Sequence, residues 1–275
     1  MDGRSDGIRG KLASRCMLVE SEQGLVLFDT GYGLRDCVEP RARLSGFFLR
    51  LLAPELRESL TAVRQIEALG FAARDVRHIV LTHLDFDHAG GLDDFPEARV
   101  HVLSSEITDA VKQSTWLDRQ RFRPQQWSSH ARWSPVGPQV TGETWFGFDA
   151  VRDIPGLPPE ILMVPLRGHT LGHAGIAVRE SARWTLLAGD AYFDAREMNP
   201  EKPACTPGLR FYQWMMEKDR DARHQNQARL RELVRGHSDE VKVVCSHDPD
   251  EMERDSGRSL DSAPSATASA RLVTA

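Results

Sequence analysis

Short apolar runs, each closed by a polar or glycine-rich break, recur along the chain. Residues 16–20 and 25–29 read as two strands joined by a turn at 21–24, and Thr30-Gly31-Tyr32-Gly33 ends the second. Over residues 40–70 the spacing changes. Leu56, Leu60, Val63, Ile66 and Leu69 recur at three and four, which predicts a helix with Gly70 as its stop. The run Ile79-Val80-Leu81 stops at Thr82, the pattern of a buried strand. Residues 100–103 repeat it, and Ser104 or Ser105 is placed to cap the helix that follows. Residues 161–166, 176–179, 184–188 and 241–245 read as further strands, and 208–235 as mainly helix with an interruption. Residues 114–160, with Trp116, Trp127, Trp133 and Trp145, many prolines and little periodicity, are predicted to form a long irregular insertion. Near residue 254 the composition shifts to Ser, Ala, Thr and Asp. The expected organisation is one domain over 1–255 and a disordered tail over 256–275.

Composition narrows the class. The 275 residues can bury a substantial core, as one large domain or two small ones. With 35 basic and 40 acidic residues the net charge is −5, so the chain lacks the basic footprint of a nucleic-acid binder. The first residues, Met-Asp-Gly-Arg-Ser-Asp-Gly, contain no apolar run, and no stretch approaches the roughly 18 apolar residues of a membrane span. A cytoplasmic protein with neither nucleic-acid nor membrane partners is expected, its oligomeric state open. Cys16, Cys37, Cys205 and Cys245 form no C-x-x-C pair and read as reduced thiols.

The chemistry concentrates at strand ends. Thr82-His83-Leu84-Asp85-Phe86-Asp87-His88-Ala89-Gly90-Gly91 places His83, Asp85, Asp87 and His88 directly after a buried strand, where a rigid scaffold presents functional groups. The same arrangement recurs with Arg167-Gly168-His169-Thr170, Gly189-Asp190 and Ser246-His247-Asp248. If those strand ends meet on one sheet edge, seven nitrogen and oxygen donors converge, enough for two metal ions sharing a carboxylate.

These four segments, in this order, resemble the metallo-β-lactamase superfamily, whose pattern is H-x-H-x-D-H followed by G-H-T, G-D and a late histidine. The stretch 56–91 is particularly similar to acyl-homoserine-lactone lactonases. The resemblance implies an α/β fold, a four-layer αββα sandwich with its metals at one edge. It implies His83, Asp85 and His169 on one divalent ion, Asp87, His88 and His247 on a second, and Asp190 between them. Zinc is the expected metal, with iron or manganese as alternatives, and a hydroxide held between the metals would be the nucleophile. Asp87 would serve as proton carrier as well as ligand, and Tyr192 is a candidate to hydrogen-bond the oxyanion.

The family usually has histidine where this chain has Asp85. A carboxylate adds negative charge, lowers the Lewis acidity of the bound ion and shifts preference toward harder metals. Exchanging Asp85 for histidine is therefore expected to restore the commoner donor set. The leading expectation is a hydrolase of a small lactone or ester. The alternatives are an iron-dependent, sulfur-dioxygenase-like oxidoreductase, or a hydrolase of a thioester, β-lactam or phosphodiester.

Other residues read more plainly. His78 is expected to face solvent, and His101, inside a strand, to be a satisfied histidine of the core or of the strand's face. His173 is expected to support the ligands rather than join them. Trp127, His130 and Trp133 line a substrate pocket or pack the insertion. Asp29 orients a ligand or merely closes the hairpin, and Arg41, Arg43 and Arg50 beside Phe47 and Phe48 leave room for an exposed lid.

Overall fold

In the computed structural model the alternation at the start of the chain closes into a hairpin, β1 (Met17–Ser21) against β2 (Gly24–Phe28), with Val19 opposite Val26. The described residues are 10–130, 132–137, 144–149, 154–257, 259–260 and 273–274. They fall into two compact units, one built on residues 16–137 and one on 1–15 with 138–260.

In the 16–137 unit the chain leaves β2 through α1 (Leu34–Val38), α2 (Pro40–Arg43), α3 (Gly46–Leu52) and α4 (Ala62–Ala68) and returns as β3 (Val76–Val80), parallel to β2. The helix predicted over 40–70 is thus several short ones. Ser45 caps α3 by accepting from the Phe48 amide, and Ala53, in the left-handed region at φ 46°, ends it just before Pro54. Val63 and Ile66 of the apolar stripe are buried on α4, while Leu60 lies outside it and is exposed. β4 (Arg99–Leu103) adds parallel to β3, followed by α5 (Ser104–Lys112), α6 (Trp116–Arg121), α7 (Pro124–Trp127) and β5 (Trp133–Val136), parallel to β4. Residues 273–274 pair parallel with β1. Neither Ser104 nor Ser105 caps α5: Ser104 is its first residue, and its hydroxyl donates to the Val136 carbonyl.

Much of the segment expected to be irregular is regular. Thr115 and Asp118 form a reciprocal capping box at the start of α6, and Pro124 opens α7, where a missing amide costs nothing. Periodicity is simply too short-lived in helices of this length to register.

In the other unit, β6 (Thr144–Trp145) and β7 (Phe148–Asp149) form a small hairpin. β8 (Ile161–Pro165), β9 (Ala174–Glu180) and β10 (Arg183–Leu187) form an antiparallel meander, and β11 (Val241–Val244) adds parallel to β10. The helical segment is α8 (Pro207–Met216) and α9 (Arg220–His237), interrupted where Asp219 caps α9 by accepting from the Ala222 amide. α10 (Pro249–Ser256) follows β11. The disordered tail expected over 256–275 falls mostly outside the described residues. Leu162, Val164, Leu186 and Leu230 anchor this unit's core, and Leu27, Ile79, Leu81 and Val100 that of the other. Among the described residues no helix is long and apolar enough to cross a membrane.

His78 does not face solvent. It lies within β3, and its Nδ1 is 3.0 Å from Nε2 of the fully buried His101. Burial first, then His78 and Arg99, push the His101 imidazole down to about 3; burial, then Arg99 and Arg77, lower His78. An unfolded histidine takes its proton near about 6.5, so below that pH the unfolded chain binds more protons than the folded one. Stability from this pair is complete above that pH and is lost as pH falls toward 3, by at most about 1.4 kcal/mol per pH unit for each proton. Asp36, Glu197 and Glu251, raised by burial, act in the opposite sense. The quantity to read is therefore the difference between wild type and His101→Gln in melting temperature across pH 7 to 4. That difference is expected to favour the variant progressively on acidification, and parallel curves would refute the assignment.

Candidate functional site

Each of the four donor-bearing segments follows a strand. His83, Asp190 and His247 come three residues after the last residues of β3, β10 and β11, and His169 four after the last of β8.

In the 16–137 unit one carboxylate organises two imidazoles. Asp29 sits in the left-handed region at φ 54°, which a short polar side chain tolerates. Its Oδ1 accepts the Thr82 amide and its Oδ2 the Thr82 hydroxyl, both at 2.8 Å. Having donated its proton, Thr82 Oγ1 accepts from Nδ1 of His83 at 2.9 Å, and Asp29 Oδ2 accepts from Nδ1 of His88, also at 2.9 Å. Both rings are thereby fixed as Nδ1–H tautomers with the Nε2 lone pair presented, the form a metal ligand needs. The two ring centroids are 4.0 Å apart. His83 Nε2 lies 3.4 Å from Asp85 Oδ2, and His88 Nε2 lies 3.9 Å from Asp87 Oδ1. Of the four, Asp87 is the least buried, at 13% exposure. Asp29 is thus an orienting group, and the hairpin reading falls.

The loop carrying these residues is tightly held. Glu106 of α5 accepts the Leu84 amide at 2.9 Å, and Thr30 donates both its amide and its hydroxyl to the His88 carbonyl. A Cβ at Gly90 would collide with the Asp36 carboxylate and lie 2.8 Å from the Gly31 carbonyl, so the backbone passes where no other residue fits. Arg43, expected on an exposed lid, is 2% exposed, and its guanidinium reaches Asp36, Asp93 and the carbonyls of Gly90 and Gln125. Phe48 is buried too, so the lid reading does not hold.

Arg121 is a site residue that sequence reasoning missed. Its Nε donates to Asp85 Oδ1 at 2.7 Å and its Nη2 to Oδ2 at 2.5 Å, a two-bond fork between fully buried partners. Residues 85 and 122 also form an isolated antiparallel backbone bridge.

In the other unit His169 and His247 both turn to Asp190. Nε2 of His169 lies 3.3 Å from Asp190 Oδ2, and Nε2 of His247 lies 3.0 Å from Oδ1 and 3.1 Å from Oδ2. His247 donates Nδ1–H to the Ala13 carbonyl at 2.7 Å, and the amides of Ala13 and Arg15 donate to the carbonyls of His247 and Ser246. With Nδ1 carrying the proton, a neutral His247 aims a lone pair at a carboxylate. Only a proton on Nε2 or a cation shared with Asp190 makes that arrangement favourable, and a divalent ion fits this donor set. The His169 loop is clamped by α9: the Lys218 and Asp219 amides donate to the Gly168 carbonyl, and Asn226 donates to that of Arg167.

His173 uses both ring nitrogens. Nδ1–H donates to the Leu166 carbonyl and Nε2 accepts the Asp190 amide, each at 2.9 Å. It holds the backbone of Asp190 and has no lone pair left for a metal, as expected of a supporting residue. Tyr192 is a correction. Its fully buried hydroxyl donates to Glu251 at 3.0 Å within the unit's core. Burial, then Glu251, raise it well above the usual tyrosine range, and with its one proton given to Glu251 it does not take the place of an oxyanion donor. Phe193 takes the neighbouring place, stacked on His247 with centroids 4.9 Å apart. Trp127 is core and His130 is bonded to the Ala98 carbonyl, with Trp133 edge-on to its ring, which is packing rather than a pocket wall.

A family model described as the metallo-beta-lactamase superfamily matches residues 9–237. A probable metallo-hydrolase of Mycobacterium tuberculosis is 41% identical over 244 residues, covering 87% of this chain and 76% of the relative. An N-acyl homoserine lactonase of Bacillus thuringiensis subsp. kurstaki is 25% identical over 190 residues, covering 68% and 67%. Among solved structures, an N-acyl homoserine lactone hydrolase with N-hexanoyl-L-homoserine at its catalytic metal center shares the fold, with TM-score 0.63 at 20% identity. That match covers 92% of this chain and 96% of the other. The fold class expected from the sequence is therefore the one found.

Proposed function

Because the chain belongs to the metallo-beta-lactamase superfamily, we propose that it is a metal-dependent hydrolase of small lactones or esters. The observation that carries the metal reading is Asp190, a carboxylate faced by Nε2 of both His169 and His247, one of which has its proton fixed on the far nitrogen. In this reading His83, Asp85 and His169 serve one divalent ion, Asp87, His88 and His247 a second, and Asp190 both, with zinc the expected metal. Metals held by these residues would supply a water that ionises near neutral pH and a Lewis acid for the carbonyl oxygen. The chain's own residues do the rest. Asp29 and Thr82 keep the His83 and His88 rings in the donor tautomer, and His173 fixes the Asp190 backbone. Asp87, the most accessible of the 16–137 donors, carries the proton to the leaving alkoxide.

The substrate class is argued from relatives and from one surface feature. The relatives are named as N-acyl homoserine lactonases, and one solved structure holds the product N-hexanoyl-L-homoserine, a molecule with an apolar acyl chain. Here Phe86, between Asp85 and Asp87, begins an aromatic series: it lies 4.5 Å from Phe48, which lies 5.0 Å from Phe47, which lies 5.1 Å from the exposed Trp116. Phe86 and Phe48 are buried, but the open end of the series, half-buried Phe47 and exposed Trp116, suits an apolar chain more than a phosphate, and the net charge of −5 attracts no polyanion. The test compares kcat/KM for lactones, esters, thioesters, β-lactams and phosphodiesters at fixed metal content, before and after chelation. Lactones or esters are expected to lead, with activity lost on chelation and restored by zinc. Faster phosphodiester cleavage rejects the substrate class, and activity indifferent to chelation rejects the metal.

A further inference from the structure

The carboxylate at position 85 brings its own partner. Arg121 and Asp85 are 0% and 2% exposed, joined by two hydrogen bonds, and their segments are fastened again by the 85–122 backbone bridge. A guanidinium this deep in a protein is tolerable only because it is paired. The fork uses one lone pair on each oxygen of Asp85, whereas a carboxylate has about four lone-pair sites. The fork thus does not by itself exhaust the carboxylate, and it holds Oδ2 in place 3.4 Å from His83 Nε2.

We propose that Arg121 is the counter-charge that allows a carboxylate to serve among the metal donors at position 85, the two side chains together presenting the net charge of one neutral imidazole. Arg121 is a positioning residue in this scheme: it touches Asp85 and sets both its orientation and its charge. One consequence reverses the simplest sequence-based expectation. Placing histidine at position 85 removes the carboxylate on which the buried Arg121 guanidinium forks, so the charge balance beside the metal shifts by one unit toward positive. Asp85→His alone is then a loss, and it becomes a gain only when Arg121 is replaced as well.

The inference rests on the proposed metal centre, and zinc is the probe. Zinc dissociation constants are measured by competition with a chromophoric chelator for wild type, D85H, R121M, R121K and D85H/R121M, with the zinc-induced rise in melting temperature as a second readout. D85H is expected to bind zinc at least about tenfold more weakly than wild type, the scale on which groups around metal ligands act. D85H/R121M is expected to recover to within about threefold of wild type. R121M leaves Asp85 as a bare anion and is expected to bind about tenfold more tightly, with a larger zinc-induced thermal shift, while R121K, which keeps the charge, stays near wild type. If D85H does not fold, the R121M and R121K comparison carries the test, since a merely structural arginine would lower the melting temperature without tightening zinc. Equal zinc affinity in wild type, D85H and R121M overturns the role of Arg121. A wild-type chain that binds no zinc overturns this inference and the metal centre together.

Discussion

Replacing Asp190 by alanine is expected to remove zinc binding and to cut kcat/KM by at least about a thousandfold, the scale on which loss of a member of a catalytic unit acts. In the unit formed by residues 1–15 and 138–260, every ligand-type histidine of the motif converges on this one carboxylate, His169 at 3.3 Å and His247 at 3.0 Å. Without it the two imidazoles have no anion between them. The substitution is sterically mild, since alanine leaves the amide free to keep its bond to His173 Nε2. Asp190→Asn separates charge from shape: it retains the size and one acceptor oxygen, and should fall between the two. Zinc content by mass spectrometry and kcat/KM on one lactone are read on the same samples. An alanine variant with wild-type zinc content would show that the metals, if bound, do not depend on Asp190.

The second large effect is on stability. Arg43→Met is expected to destabilise the 16–137 unit by about 3–5 kcal/mol, the range for breaking a buried charge pair from one side. The guanidinium joins Asp36 at 3.0 Å, Asp93 at 2.7 Å and the Gly90 carbonyl at 3.2 Å, and the Arg43 carbonyl accepts from Arg123. Asp36 is fully buried and its carboxyl is already pushed up by burial, with Arg43, Gln126 and the Gly33 amide pulling it back down. Removing the arginine pushes it higher, so part of the cost is relieved by protonation, and the loss should be smaller at pH 5 than at pH 8. Urea unfolding of wild type and R43M at both values measures this. A loss below about 1 kcal/mol would place Arg43 among surface residues, against its 2% exposure.

The strands and the donors were legible because each is local. Ile79-Val80-Leu81 followed by a polar break states a buried strand in a handful of residues, and His83 to His88 state a metal motif in six. What could not be read was what meets what. Nothing near residue 121 announces that its side chain reaches back to Asp85, and nothing near Glu106 announces that it holds the Leu84 amide. The same blindness made Arg43 look like a surface charge, since its neighbours Arg41 and Arg50 are exposed and the carboxylates that bury it are found at residues 36 and 93. Tyr192 failed differently. Its place two residues after Asp190 was right for a site residue, but a strand end turns successive side chains to different surroundings, and Phe193 is the one stacked on His247. Asp29 and His173, by contrast, were marked for support by position alone, and geometry decided between their two readings.

The bond between His247 and the Ala13 carbonyl also bears on the order in which the protein becomes competent. On a ribosome residues 13–15 emerge before their partners Ser246 and His247, by more than two hundred residues. That pairing must wait for the later segment, the kind of long-range closure that slows folding and leaves sticky intermediates. Residues 16–137 carry their own core and all of their sheet except the edge pairing of residues 273–274 with β1. The nascent chain can thus hold His83, Asp85, Asp87 and His88 in an ordered scaffold while His247, the last of the proposed donors along the chain, is still unmade.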